Sequence, residues 1–346
     1  MAPADDPRAR APRLLALLAA SRGRRVVVLG DLIADEFVSG RIARVSREAP
    51  VLILEYDKTE IVPGGAGNAA HNVATLGGAV TLVALAGRDD AGRRTLAAFP
   101  SRVDRRSIVR PAGYRTPVKT RILAGGVHSA KQQVVRVDRF TRDTIGDAAR
   151  EAWLRAARHA LKGADAVLVS DYGSGLITPA LVETLVAPLR RQGRLRVPVL
   201  VDSRYDLLRY RALTACTPNE SEVEQALGVT IGDTPRALER AGRAILRQTR
   251  MDAVLVTRGS RGMALFAPDA PTLHVSIYGS DEIADVTGAG DTVMATLTLA
   301  LAAGASMADA ARLANYAGGR VVMKRGTATV SARELAHAVA SDAGGR

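Results

Sequence analysis

The residues best suited to chemistry stand together late in the chain, at Asp285-Val-Thr-Gly-Ala-Gly-Asp-Thr292. Gly288 and Gly290 allow a backbone to approach a ligand closely. The apolar run that begins at Thr292 places their amides, with that of Ala289, at a helix N-terminus. Unpaired N–H groups and the helix dipole favour an anion there, so the segment reads as a phosphate seat. A dinucleotide fingerprint would need a third glycine and a place early in a β-α-β unit, and this motif has neither. Asp291 carries two readings. A carboxylate beside a transferable phosphoryl group can accept the proton of an attacking hydroxyl, and Asp is also a common helix N-cap. The motif alone leaves both open.

A seat of this kind needs a framework, and composition bounds what that framework is. The chain has 346 residues, 47% of them hydrophobic and 3% aromatic, with Ala, Val, Leu and Gly abundant. This balance suits parallel strands covered by small-residue helices in one compact α/β unit. Arg25-Val-Val-Val-Leu-Gly30, followed by Asp31, reads as the first buried strand. Gly64-Gly-Ala-Gly-Asn68 leads into a helical stretch as far as Leu76, and Val80-Thr-Leu-Val-Ala-Leu85 is the next strand. Ala166–Ser170, Val197–Val201 and Ala253–Thr257 follow between helical segments, and their polar ends lie where open parallel sheets place ligands.

Between these elements the pattern changes. Glu36 to Ile61 contains short alternating pieces, Phe37-Val38 and Val51–Tyr56, and two more alternating runs, Val118–Leu123 and Gln132–Val137, flank Gly125-Gly126. They read as one-faced strands of a small β lid over about 36–62 and 113–138, with an amphipathic helix at about 8–22. No linker or repeat divides the chain, so 1–346 is expected to be a single domain.

Several function classes fall away. The single cysteine, Cys216, cannot form an internal disulfide, and no Cys/His cluster has zinc spacing, so a reducing cytoplasm is the expected compartment. No apolar run reaches the length of a membrane span. The net charge of +13 is spread along helices with few aromatics to stack on bases, so no specific nucleic-acid partner is expected. His71 and Cys216 read as packing residues.

Three segments, Gly64-Gly-Ala-Gly-Asn68, Thr217-Pro-Asn-Glu-Ser-Glu222 and Asp285-Val-Thr-Gly-Ala-Gly-Asp291, resemble in kind and order the signatures of the ribokinase-like (PfkB) carbohydrate kinases. Within that family the chain is most similar to the module that phosphorylates D-glycero-β-D-manno-heptose 7-phosphate at O1 for ADP-heptose and lipopolysaccharide core synthesis. Gly30-Asp31-Leu-Ile-Ala-Asp35, the lid segment Arg44-Val-Ser-Arg-Glu-Ala-Pro50, Gln132-Gln-Val-Val-Arg-Val-Asp138 and Ser170-Asp-Tyr172 carry this likeness, which runs from about Arg25 to Ala338.

The resemblance implies a three-layer α/β/α sandwich with a mostly parallel sheet and a β lid, using ATP and Mg²⁺. It makes Asp291 the catalytic base and the amides of Gly288, Ala289 and Gly290 the anion hole. Asn219 and Glu222 match nucleotide-phosphate positions, with Glu222 organising Mg²⁺ through water; a helix cap and a solvated helix surface are their structural alternatives. Thr257, Arg258 and Gly259 resemble the family's nucleotide loop. Asp35, Gly64, Gly65 and Asn68 match sugar-contacting positions, since a carboxylate and an amide bind hydroxyls and glycines let a ring lie on backbone. Arg121, Gln132, Arg136 and Asp138 stand on the lid, where a sugar phosphate calls for guanidinium forks and amides.

The lid strands imply a homodimer formed through the lid, and relatives of the fold raise a monovalent cation near Asp285 and Arg325. Two departures bear on the acceptor. The module's usual D-P-K-G reads Asp202-Ser-Arg-Tyr205 here, and Gly125-Gly-Val-His-Ser129 lengthens the lid hairpin. The H-x-G-H motif of the nucleotidyltransferase often fused to this module does not occur, so a second catalytic activity is not expected.

Overall fold

A computed structural model describes residues 6–126, 131–140, 145–279, 285–324 and 326–344. Helix α1 (Pro7–Ser21), capped by Asp6, precedes β1 (Arg25–Gly30) and two long strands, β2 (Leu32–Val45) and β3 (Leu52–Gly65). Then come α2 (Ala66–Thr75), β4 (Ala79–Val83), α3 (Asp90–Ala97), β5 (Val103–Asp104), β6 (Val118–Gly125), β7 (Gln132–Arg139) and α4 (Asp147–Ala160). The central part holds β8 (Ala166–Asp171), α5 (Pro179–Val186), the small pair β9 (Arg190–Arg191) and β10 (Arg194–Leu195), β11 (Val199–Ser203) and β12 (Ala215–Cys216). Next are α6 (Glu220–Leu227), α7 (Pro235–Thr249), β13 (Ala253–Thr257), β14 (Met263–Phe266) and β15 (Leu273–Val275). The chain finishes in α8 (Ala289–Ala302), α9 (Met307–Val321) and α10 (Ala332–Ala343).

The main sheet runs β15-β14-β13-β12-β11-β8-β1-β4-β5, parallel from β13 to β5 and antiparallel at β14 and β15. Side chains alternate across a strand, so β1 sends Val26 and Val28 into one core and Val27 and Leu29 into the other. The first core takes Leu14 of α1, Val73 of α2, Leu297 of α8, Leu313 of α9 and Leu335 of α10; the second takes Trp153 of α4, Leu185 of α5, Val223 of α6 and Ile245 of α7. This is the three-layer sandwich that the sequence predicts. Each fully buried aliphatic side chain stabilises it by about 1.5–3 kcal/mol.

Helix α8 is buried without a break from Asp291 to Ala300, which explains why its sequence is apolar all round. Its interior threonines satisfy their hydroxyls on the preceding turn, Thr296 on the Thr292 carbonyl at 2.7 Å and Thr298 on that of Met294 at 2.8 Å.

The lid is a four-stranded sheet in the order β3-β2-β6-β7. The short pieces expected around Phe37 and Val51 merge into two paired strands of 14 residues, and the lid covers Leu32–Gly65 and Val118–Arg139 rather than 36–62 and 113–138. Alternation was hard to read because register shifts at Ser39/Gly40 and Ile42/Arg44 reset the facing side, and because the far half of β2 is exposed. Charged residues between the apolar pieces pair across strands, as Arg41 does with Glu55 at 3.3 Å and Asp57 at 3.4 Å. Val127 to Ser129 of the lengthened hairpin lie outside the described residues.

Candidate active site

The site lies where β1 ends and the lid begins, facing the N-terminus of α8. Gly288 is the N-cap of that helix with φ 76°, and a Cβ there would come within 2.6 Å of the Asn68 amide nitrogen. Glycine is therefore required both by conformation and by space. Gly290 has the opposite surroundings: a Cβ would meet nothing within 4 Å, so its backbone opens onto the cleft. Of the three amides expected in the anion seat, that of Ala289 closes a 3.2 Å turn onto the Val286 carbonyl, leaving those of Gly288 and Gly290 for a ligand.

Asp291 does not cap its helix. Its carboxylate is buried and accepts two hydrogen bonds, from Asn68 Nδ2 at 2.7 Å and from the Tyr172 hydroxyl at 3.2 Å. Asn68 is itself oriented, because Asn72 Nδ2 donates to its Oδ1 at 3.1 Å while Asn72 Oδ1 accepts from the Thr292 hydroxyl at 2.9 Å. A two-residue amide relay thus fixes which end of Asn68 faces the carboxylate. Burial raises the Asp291 pKa to about 6; the bonds from Asn68 and Tyr172 oppose that rise, and Asp35 adds to it. A carboxylate of this basicity, held with both oxygens aimed, is suited to receive a proton at neutral pH. Burial and the facing Asp291 push the Tyr172 hydroxyl well above its ordinary range, so it remains a donor.

On the lid side, Arg121 Nη1 donates to Asp35 Oδ1 at 2.7 Å in a pair with side chains only 11% and 8% exposed. A Cβ on Gly64 would strike Asp35 Oδ2 at 2.3 Å, so this glycine makes room for the carboxylate, while Gly65 is the N-cap of α2. Lys119, opposite Asp35 in β6, was not anticipated. It is buried, with Nζ 4.5 Å above the Tyr172 ring; burial lowers its pKa, Asp35 and Asp138 favour its charge, and Arg204 and Arg121 oppose it. Its signal was the strand run Val118-Lys-Thr-Arg, in which Lys119 and Arg121 share one face.

The exposed strand β7 carries the remaining lid candidates. Arg136 grips Asp138 with two bonds of 2.9 and 3.0 Å. Gln132 is not brought to the others: it pairs with Ala124, five residues along β6 from Lys119, or about 17 Å at the usual strand rise.

Asp291 also borders a cleft of about 390 Å³, lined on polar ground by Tyr172, Asp202, Arg204, Asn219 and Glu222 and on apolar ground by Ile277, Val293, Gly318 and Val322. Asn219 and Glu222 do form a helix cap. The Asn219 side chain accepts from the Glu222 amide and the Glu222 side chain from the Asn219 amide, both at 2.9 Å, which completes a capping box at the start of α6. The alternative of a solvated helix surface for Glu222 does not hold, because its half-buried side chain lines the cleft and burial raises its pKa. Thr257 and Gly259 line the same wall. Arg258 turns aside to bind Glu220 at 2.7 Å, beside a shallower neighbouring groove. Asp202 and Arg204, which in sequence mark only a departure from the related module, both line the cleft, and burial together with Glu222 and Asp291 pushes the Asp202 carboxyl well up.

Among the described residues no three His, Cys, Asp or Glu side chains converge to hold a metal directly. Glu222 offers the cleft one half-buried carboxylate, a donor that a hydrated cation accepts. Asp285 accepts from the amides of Thr287 at 2.8 Å and Gly326 at 2.9 Å; burial raises its pKa, but the Thr287 side chain, these two amides and Arg121 outweigh it and the net shift is downward. Arg325 lies outside the described residues. His71 is half-buried with its pKa lowered by burial, and Cys216 is fully buried with its thiol pushed up, as packing residues would be.

The profile of the pfkB family carbohydrate kinases matches residues 24–334. The Bifunctional protein HldE of Geobacter metallireducens is 40% identical over 321 residues, and that of Caulobacter vibrioides 43% identical over 345; these cover 92% and 99% of the chain. The chain spans only 64% and 67% of the length of those relatives. Among solved structures, phosphofructokinase-2 from Escherichia coli in complex with potassium superposes with a TM-score of 0.72 at 18% identity, covering 92% of this chain and 99% of that one. Arabidopsis thaliana ribokinase complexed with ribose and ATP gives 0.68 at 19%, with the same coverage. At that identity the two structures establish the ribokinase-like fold. The match across nearly the whole chain establishes more: this protein belongs to the pfkB family of carbohydrate kinases.

Proposed function

We propose that this ATP-dependent carbohydrate kinase transfers the γ-phosphoryl group of ATP to O1 of D-glycero-β-D-manno-heptose 7-phosphate, in the cytoplasm. The observation that carries the reading is the buried Asp291 carboxylate, aimed by Asn68 and Tyr172, lining the nucleotide-sized cleft and feeling the charges of Asp35 and Lys119, with Arg121 bonded to Asp35. The sugar hydroxyl gives its proton to Asp291 as its oxygen bonds to the γ-phosphorus, and the bond to the β,γ-bridging oxygen breaks to release ADP. The Gly288 and Gly290 amides receive the transferring phosphoryl oxygens at the positive end of α8, and Asp35 binds acceptor hydroxyls. Glu222 would hold Mg²⁺ through water, and the ion would supply charge neutralisation on the nucleotide phosphates. Lid closure over the reacting groups would exclude water that could otherwise attack ATP.

The heptose assignment rests on the Arg44–Pro50 and Gln132–Asp138 segments together with the similarity to the two HldE proteins. Asp202-Ser-Arg-Tyr205 favours one second reading, a kinase for another sugar or sugar phosphate, because Arg204 stands on the cleft where the related module usually has Lys. A panel of sugars and sugar phosphates with coupled ADP detection separates the two. The heptose 7-phosphate is expected to give the highest kcat/KM, and a better acceptor would overturn the finer assignment.

The Asp291 environment sets a pH dependence. The base works ionised, so kcat/KM is expected to fall about tenfold per pH unit below about pH 6 and to level off above it. An acid limb near pH 4 in the profile of the free enzyme would contradict the buried carboxylate as base.

The outer lid exposes Val45, Leu52, Tyr56, Val134, Val135 and Val137. A second copy is the expected cover for such a sheet. Light scattering at micromolar concentration should give the mass of two chains, and Val135→Lys should shift it towards one.

A further inference from the structure

We propose that Asp31 is a positioning residue for the catalytic base, fixing the two donors that hold Asp291 from opposite sides. The inference rests on the reading of Asp291 as that base. Asp31 stands between β1 of the main sheet and β2 of the lid, and is only 3% exposed. Its carboxylate accepts from the Tyr172 amide at 2.9 Å, from the Ser174 amide at 3.2 Å and from the Ser174 hydroxyl. Its main-chain carbonyl accepts from the amide of Ala66, the first residue of α2, at 3.0 Å.

Each of these contacts leads to one oxygen of the base. From the loop pinned by the carboxylate, the Tyr172 hydroxyl reaches Asp291 Oδ1 at 3.2 Å. From the helix pinned by the carbonyl, Asn68 reaches Asp291 Oδ2 at 2.7 Å. A single residue thus references both donors to the end of β1, where its own amide is tied to Ser170 of β8 at 3.1 Å.

A loop cap alone would need less. Three donors converge on the two carboxylate oxygens, and an Asn in this place has one acceptor oxygen for them. The anion is held against resistance: burial raises its pKa to about 6, Ser174 opposes that rise, Asp171 adds to it, and the hydroxyls of Tyr114 and Tyr210 also feel its charge. Position is what this arrangement secures, because a carboxylate displaced by about 1 Å from its acceptor proton can lose about 100-fold in rate.

The test compares wild type, Asp31→Asn, Tyr172→Phe, the double variant and Asp291→Asn, with heptose 7-phosphate or the winner of the panel as acceptor. Asp31→Asn is expected to lower kcat by up to about 100-fold and to leave the Kd for ATP unchanged. Its acid limb should move from about pH 6 to about pH 7, since hydrogen bonds that favour the ionised base are weakened. The double variant should share that limb, because Asp31→Asn leaves the carbonyl bond to Ala66 intact and perturbs only the carboxylate arm that runs through Tyr172. An unmoved limb in folded Asp31→Asn, or limb shifts that add in the double variant, would overturn the proposal. Ser174→Ala removes one of the three donors and covers the case in which Asp31→Asn does not fold: a smaller shift in the same direction is expected, and an unmoved limb has the same overturning force. Full turnover in Asp291→Asn would instead remove the base reading, so the two failures are told apart by different variants.

Discussion

Replacing Asp291 by Asn is expected to lower kcat by about 10²–10⁴-fold, the range for loss of a positioned general base, while the Kd for ATP stays close to that of the wild type. The substitution keeps the size of the side chain, and an amide can still accept from Asn68 Nδ2 and meet the Tyr172 hydroxyl. Stability should move the other way. The folded pKa of Asp291 is raised from 3.8 to about 6, so its protonated form contributes stability that is present below about pH 4 and is lost as pH rises through about 6. At pH 7.5 the buried anion therefore costs on the order of 3 kcal/mol, and the Asn variant should unfold at a higher temperature than the wild type. Calorimetry and coupled ADP release on the same preparation check both halves. Turnover near the wild-type rate would refute the base, and a lowered unfolding temperature would refute the account of its burial.

The two glycines of the anion seat should respond to alanine with opposite effects on stability. Gly288→Ala forces a side chain into the left-handed region at φ 76° and against Asn68 Nδ2 at 2.6 Å, so it should lower stability by at least about 1–2 kcal/mol. It should also lower kcat by about 100-fold, because the amide displaced is the one that aims the base. Gly290→Ala meets no atom within 4 Å and lies in the first turn of α8, where Ala is the better helix former by about 1 kcal/mol. Its stability should hold or rise, yet its methyl group enters the space that a transferring phosphoryl group needs, and kcat/KM should fall. Thermal melts and steady-state kinetics distinguish the pair; an active Gly290→Ala enzyme would show that the phosphoryl group does not pass this backbone.

The basis for these expectations was unevenly visible in the sequence. Strand cores such as Val26 to Leu29 are fully apolar, with both faces buried, and could be placed from pattern alone. The lid was harder, since its register shifts and half-exposed strands break the alternation that marks a strand. Arg121 was legible as a cationic fork, but its buried partnership with Asp35 depends on parallel pairing of β2 with β6, which local pattern cannot show. Lys119 was missed for the same reason: a lysine in an alternating run reads as a solvated face until the opposing strand and Tyr172 cover it.

Residue types and their spacing alone set the chemistry on offer: a glycine seat at a helix N-terminus, an acid beside it, and companion motifs in an order that resembles one kinase family. Those are local properties, set by residue type and short spacing. Tertiary structure decided between the two readings of each polar residue. The N-cap of α8 falls to Gly288, which frees Asp291 to meet Asn68 across 223 positions of chain, whereas Asn219 and Glu222 do cap α6 and line the cleft at the same time. A cap forms within one turn and can be read locally, but a buried carboxylate takes its orientation and its basicity from side chains that meet only when separate elements pack together.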